Sequence, residues 1–153
     1  MITGQLKRDI DKLWLEFWQG GITNPLTVIE QITFLMFARL LDIQETADER
    51  RAARTKQPFK RRFKENEQEL RWKNLKQYGS IDDLLPLVRD KVFKHFRDMA
   101  APNAAQGNGA DNERSFASLM KDAQLMIGKP SLLAKAIEMI DKLPLTEGDR
   151  KGD

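Results

Sequence analysis

The 153 residues are 41% hydrophobic and 32% charged, with a net charge of +3 and no cysteine. That size fits one domain with a buried core, and the missing thiols exclude disulfides, thiolate metal sites and a cysteine nucleophile. The longest apolar run, Phe34 to Ala38, is far short of the ~20 residues that span a bilayer, and the charged opening MITGQLKRDID offers no signal-peptide core, so a cytoplasmic location without membrane contact is expected.

A first helix is predicted from about Thr3 to Trp18, where Leu6, Ile10, Leu13, Trp14 and Phe17 recur on one face of a 3.6-residue period. Gly20-Gly21 ends it, because glycine tolerates the left-handed cap conformation. Asn24 then reads as an N-cap and Pro25 as the first residue of a long second helix. Its inward stripe is expected to be Ile29, Ile32, Leu35, Met36, Leu40 and Ile43, widened by Val28, Phe37 and Leu41. Past Ile43 the pattern becomes charged, and Pro58 breaks whatever helix remains.

Signals are weak from Lys56 to Gly79, apart from a short ordered anchor at Leu70-Arg71-Trp72 and Leu75. Ser80 caps the next helix, with Asp82 and Asp83 in its first turn. Leu84, Leu85, Val88, Val92 and Phe96 form its apolar face. Pro86 gives at most a small kink, and the helix is expected to end near Met99. Residues 100–114 are small, polar and Gly-rich, and read as a flexible loop. A fifth helix is expected after Ser115 with Phe116, Leu119, Met120 and Met126. A sixth starts near Ser131 with Leu132, Leu133, Ala136, Ile137 and Ile140. The tail TEGDRKGD has nothing apolar to hold it. No repeat and no strand run is evident. The fold class is therefore all-α, an irregular bundle of five to six helices around a long central apolar helix.

Charge is unevenly distributed. From Arg50 to Lys76 eleven Lys or Arg stand against three Glu, a local +8 that leaves −5 elsewhere. Arg50 and Arg54 are four apart on a helix, where like charges repel. Arg50, Arg51, Arg54, Lys56, Lys60, Arg61, Arg62 and Lys64 therefore read as a block of unpaired cations that a polyanion would offset. Contact with the phosphates of double-stranded DNA is one reading. An acidic protein partner and a merely solubilising surface are the others. No base-reading device is present, so DNA contact here would be non-specific.

Other chemistry is sparse. His95 is the only histidine, so a transition-metal site is not expected. It is placed on the surface at the C-terminal end of its helix. Asp82, Asp83, Glu147 and Asp149 have no acid/base spacing and read as a cap and a solvated tail. Gly107-Asn108-Gly109 follows no strand and reads as loop, not as a phosphate cradle. Trp72 is assigned to the core over stacking on a partner, Trp14 to the core and Trp18 to its edge. Met36, Met99, Met120, Met126 and Met139 are taken as core filler.

Four stretches occur in a telling order: LWLEFWQGGIT, IEQITFLMFARLLD, LRWKNL and LLAKAIEMIDKLPL. Together they resemble the N-terminal helical domain of the modification (M) subunit of type I restriction-modification systems. Each is only a hydrophobic helix; the ordered set carries the resemblance, over most of the chain. It implies a full-length subunit that uses S-adenosylmethionine for N6-adenine DNA methylation. Two M subunits assemble with one specificity (S) subunit, and a restriction (R) subunit can join. The N-terminal domain helps close that assembly around DNA and contacts neighbouring subunits. Residues 1–145 would be this domain, and 146–153 a frayed tail leading to the catalytic domain. The methyltransferase motifs are not found in the chain. Asn24-Pro25 is half of an Asn-Pro-Pro-aromatic loop, but Leu26 and Thr27 depart from it and the cap explains the pair. No catalytic, cofactor-binding or metal residue can be carried over, and the chain alone should be inactive. Residues 50–64 vary in such domains, so their DNA role rests on charge alone. The alternative is a stand-alone helical protein-interaction module with a basic surface.

Overall fold

The computed structural model describes residues 2–106 and 120–144. Six helices carry these residues, with no strand among them: α1 (Ile2–Gln19), α2 (Pro25–Thr55), α3 (Trp72–Leu75), α4 (Ile81–Leu87), α5 (Phe93–Gln106) and α6 (Pro130–Asp141). A 3-10 helix, Glu65–Leu70, leads into α3, and a π turn, Val88–Val92, joins α4 to α5.

Local chemistry sets most of the boundaries. Gly21, at φ 99°, turns the chain out of α1, and a Cβ on Gly20 would lie 2.7 Å from Leu132, so α1 and α6 approach closely there. Asn24 caps α2 by accepting the Leu26 N–H at 2.9 Å. Lys56 ends α2 in the left-handed conformation, its N–H donating to the Ala52 carbonyl. Ser80 caps α4 as expected. Pro86 lacks the N–H that a regular turn needs, and the π turn begins two residues later, where Phe93 N–H reaches back to the Val88 carbonyl.

Helix α6 packs against α1, α2 and α4, and α2 also packs on α3. Leu132, Leu133, Ala136, Ile137 and Ile140 are all buried, as the periodicity predicts. Aromatic edges join α2 to α5: the Phe34 and Phe93 rings are 5.5 Å apart and nearly perpendicular, and Phe37 meets Phe96 in the same way. Two polar side chains of α2 are buried as ties. Gln31 donates to the Gln124 carbonyl and accepts from the Met126 N–H, both at 2.9 Å. Arg39 donates to the Ile140 and Leu143 carbonyls, meeting the unsatisfied end of α6.

Several expectations need correction. The core stripe of α2 holds Ile32 and Leu35 with Val28 and Leu41 beside them, as expected, but it adds Ala38, and Ile29 is 50% exposed. On so wide an apolar face, periodicity does not reveal where the edge lies. Met126 is exposed and is no core filler, although Met120 is buried, and Trp18 is 54% exposed. Trp14 packs against the core. Helix α5 runs on to Gln106 through residues read as loop. Ala100, Ala101, Ala104 and Ala105 are small, but alanine is also the best helix former. Residues 107–114 of that loop, Gly107-Asn108-Gly109 included, lie outside the described residues. So do Ser115 to Leu119 of the expected fifth helix, and Glu147 and Asp149 of the tail.

Candidate nucleic-acid interface

The eight predicted cations fall into two layers around the C-terminal half of α2. Asp42, Glu45 and Glu49 recur at steps of three and four, so they share one face of that helix, with Asp48 beside them. The chain leaves α2 at Lys56 and folds back over this acidic face. Arg62 Nη1 lies 2.7 Å from Asp48, and Arg61 Nη1 lies 2.9 Å from Glu49. The Arg61 guanidinium also stacks 4.9 Å above the Phe59 ring. Arg51 pairs with Asp48 within the helix. Arg51, Arg61 and Arg62 therefore do not fit the expectation of unpaired charge. The partners of Arg61 and Arg62 stand 12 to 17 positions earlier, beyond the reach of helical neighbour counting.

Glu45 is the fastening point of this layer. Its side chain is fully buried. Oε1 accepts the backbone N–H of Arg62 at 3.0 Å, and Oε2 accepts that of Phe63 at 3.3 Å. Both arginine guanidinium groups approach the same carboxylate. From the other side, His95 Nε2 donates to the Arg62 carbonyl at 2.9 Å, and the imidazole stacks on Phe63 at 5.0 Å. His95 is 9% exposed, in an interface and not on the surface. Helix α5 continues eleven residues beyond it, which removes the dipole argument for exposure. His95 Nδ1 lies 3.5 Å from Glu67.

Arg71 stands in the short anchor that the sequence marks as ordered. It is wholly buried. It donates to Asp42 at 2.5 Å, to Glu49 at 2.8 Å and to Thr46 at 3.0 Å. Burial works against its charge, but the hydrogen bonds to Glu49 and Asp42 outweigh that and push its pKa up. The same bond from Arg71, opposed by burial and aided by Arg61, holds Glu49 down at about 2. The Arg62 hydrogen bond likewise lowers Asp48. The acidic spacing from Asp42 to Glu49 was the available signal.

The outer layer is different. Arg50, Arg54, Lys56, Lys60 and Lys64 are all exposed. Apart from the i,i+4 pair Arg50 and Arg54, they lie on the turn out of α2 and on the returning strap. Among the described residues none of the five holds an ion pair. Their charge is available to solvent or to an anion. A shallow cleft of about 270 Å³ beside it is lined by both signs of charge, including Glu67, Glu69, Lys91, Lys94 and Asp98. Among the described residues no group of His, Asp and Glu could hold a metal ion, and no helix is long and apolar enough to cross a membrane.

Two further surface features accompany the cations. Leu15 and Trp18, three apart on α1, and Leu26 and Ile29, three apart on α2, are each at least half exposed. The curated proteins and the solved structures give no match to the chain. One family model does match, over residues 6–140, and its description is HsdM N-terminal domain.

Proposed function

Since the chain belongs to the HsdM N-terminal domain family, the N-terminal domain of the modification subunit of type I restriction-modification systems, we propose that it is an accessory domain that contacts the DNA backbone and neighbouring subunits. The full subunit would carry out N6-adenine methylation with S-adenosylmethionine held by a catalytic domain outside these residues. The S subunit, a second M subunit and the R subunit would be its partners. The observation that carries the DNA reading is the outer layer: five exposed cations that hold no ion pair among the described residues. Phosphate contact would release counterions without reading sequence. Exposed apolar pairs on α1 and α2 supply surface for the subunit contacts.

The test is fluorescence anisotropy with two short duplexes of unrelated sequence across a salt series. If all five cations engage, the slope of log K against log salt is about −4.5 for both duplexes, at roughly 0.9 per phosphate. Replacing the five with Gln flattens that slope equally for both. Binding that ignores salt, or a Gln variant that binds like the parent, would overturn the reading.

A further inference from the structure

We propose that Glu45 is a positioning residue for the outer cations: its buried carboxylate, with His95 opposite, fastens the strap from Lys56 to Lys64 so that Lys56, Lys60 and Lys64 are presented to phosphates as a fixed set with Arg50 and Arg54. This rests on the DNA-backbone reading above and adds how that surface is built.

The strap from Lys56 to Lys64 has no regular helix or strand to hold it. Its backbone is held instead by side chains from two helices. Glu45 of α2 accepts two consecutive N–H groups, of Arg62 and Phe63, and His95 of α5 takes the carbonyl between them. Phe63 is driven inward to 1% exposure by stacking on that imidazole. Once Phe63 is fixed, its flanking residues are fixed as well. Arg61 and Arg62 fold under onto Glu49 and Asp48, while Lys60 and Lys64 remain outside.

A carboxylate is the group this geometry requires. Four donors converge on Glu45, two backbone amides and two guanidinium groups, and only an ionised carboxyl has acceptor sites for all of them. An amide in its place keeps the shape but loses one acceptor and turns donors against donors. Ordering the strap before DNA arrives removes a conformational cost that a mobile strap would meet on binding. The inner arginines thus act on affinity indirectly, by holding the outer lysines.

The experiment compares the parent chain, Glu45→Gln and His95→Phe at a temperature where circular dichroism shows all three folded. Two readouts are taken. Trypsin cleavage at Lys60 and Lys64 reports the strap without DNA. The salt slope of duplex binding reports how many cations engage. The expected result is cleavage at least about tenfold faster in both variants, and a slope smaller in magnitude by about 2, as two or more lysines cease to act together. A merely structural Glu45 would lower the melting temperature and leave the slope of the folded protein unchanged; that result overturns the proposal. So does tighter binding by Glu45→Gln, which would mean that freed Arg61 and Arg62 are the better phosphate ligands. Parent protein that shows no salt-dependent binding defeats the DNA reading itself, and unchanged trypsin cleavage in the variants defeats the positioning role on its own.

Discussion

Arg71 donates through Nε to Asp42 at 2.5 Å, in a pair whose side chains are 1% and 8% exposed. The bond joins the short anchor at α3 to the long helix α2 across 29 positions. Lys73 N–H donates to the other oxygen of Asp42 at 2.9 Å, so the carboxylate is satisfied on both sides. Removing one partner of such a pair leaves the other buried and unpaired. Arg71→Leu is expected to cost about 3–5 kcal/mol, read from the urea midpoint. Asp42→Asn should cost less, and the double variant should cost less than the sum of the two. Additive costs would mean that the two side chains act independently.

Acid should loosen the same layer. Glu49 is held at about 2 by Arg71 and Arg61, below its ordinary value of 4.5. A carboxylate whose pKa is lowered by folding contributes stability above its unfolded pKa, and that contribution is lost as the pH falls through the folded value. Stability should therefore decline between about pH 4.5 and pH 2, with Asp48, also lowered, adding in the same direction. Glu49→Gln should be less stable than the parent at pH 6, with the gap closing towards pH 2. Chemical denaturation at several pH values would show it, and a gap that stays constant would place the pH dependence elsewhere.

Lys56 sits at φ 62°, a conformation that costs a side-chain-bearing residue about 1 kcal/mol or more. Lys56→Gly relieves that strain and loosens the unfolded chain, so a net gain of about 0.5 kcal/mol is expected from thermal unfolding. The same change removes one outer cation and should reduce the salt slope of DNA binding by about 0.9. Greater stability with weaker, less salt-sensitive binding is the combined signature.

Exposed and buried apolar residues should behave oppositely. Ile137→Ala, at 1% exposure, should cost about 2–5 kcal/mol. Leu26→Ser with Ile29→Ser, at 64% and 50% exposure, should leave the melting temperature of the isolated chain within a degree or two. In the assembled enzyme the Ser pair should weaken retention of the partner subunits on size exclusion. A large loss of stability in the isolated chain would instead make these residues part of its own core.

Much of this fold was legible because the local signals agreed with one another. Asn24 with Pro25, Ser80 and the Leu132 to Ile140 spacing each named a helix that the structure contains. The inward face of α2 was legible at Val28, Ile32, Leu35 and Leu41, but its edge at Ile29 was not, since apolar residues extend past the buried stripe and packing decides where it ends. The basic region was legible in composition only. Eleven cations in 27 residues mark a basic region, but which of them are spent internally depends on the chain folding back over Asp42, Glu45, Asp48 and Glu49. His95 was misjudged for the same reason: its partners, Arg62 and Phe63, are distant in sequence.

The most direct test of the account uses the modification subunit that carries this domain, assembled with its specificity subunit, and measures methyl transfer from S-adenosylmethionine to adenine in duplex DNA alongside DNA retention. The subunit should methylate, the 153-residue chain alone should not, and a subunit lacking residues 1–145 should lose DNA retention and partner assembly while keeping a folded catalytic domain. Normal assembly and DNA retention by the truncated subunit would contradict the claim that these helices are its accessory contact domain.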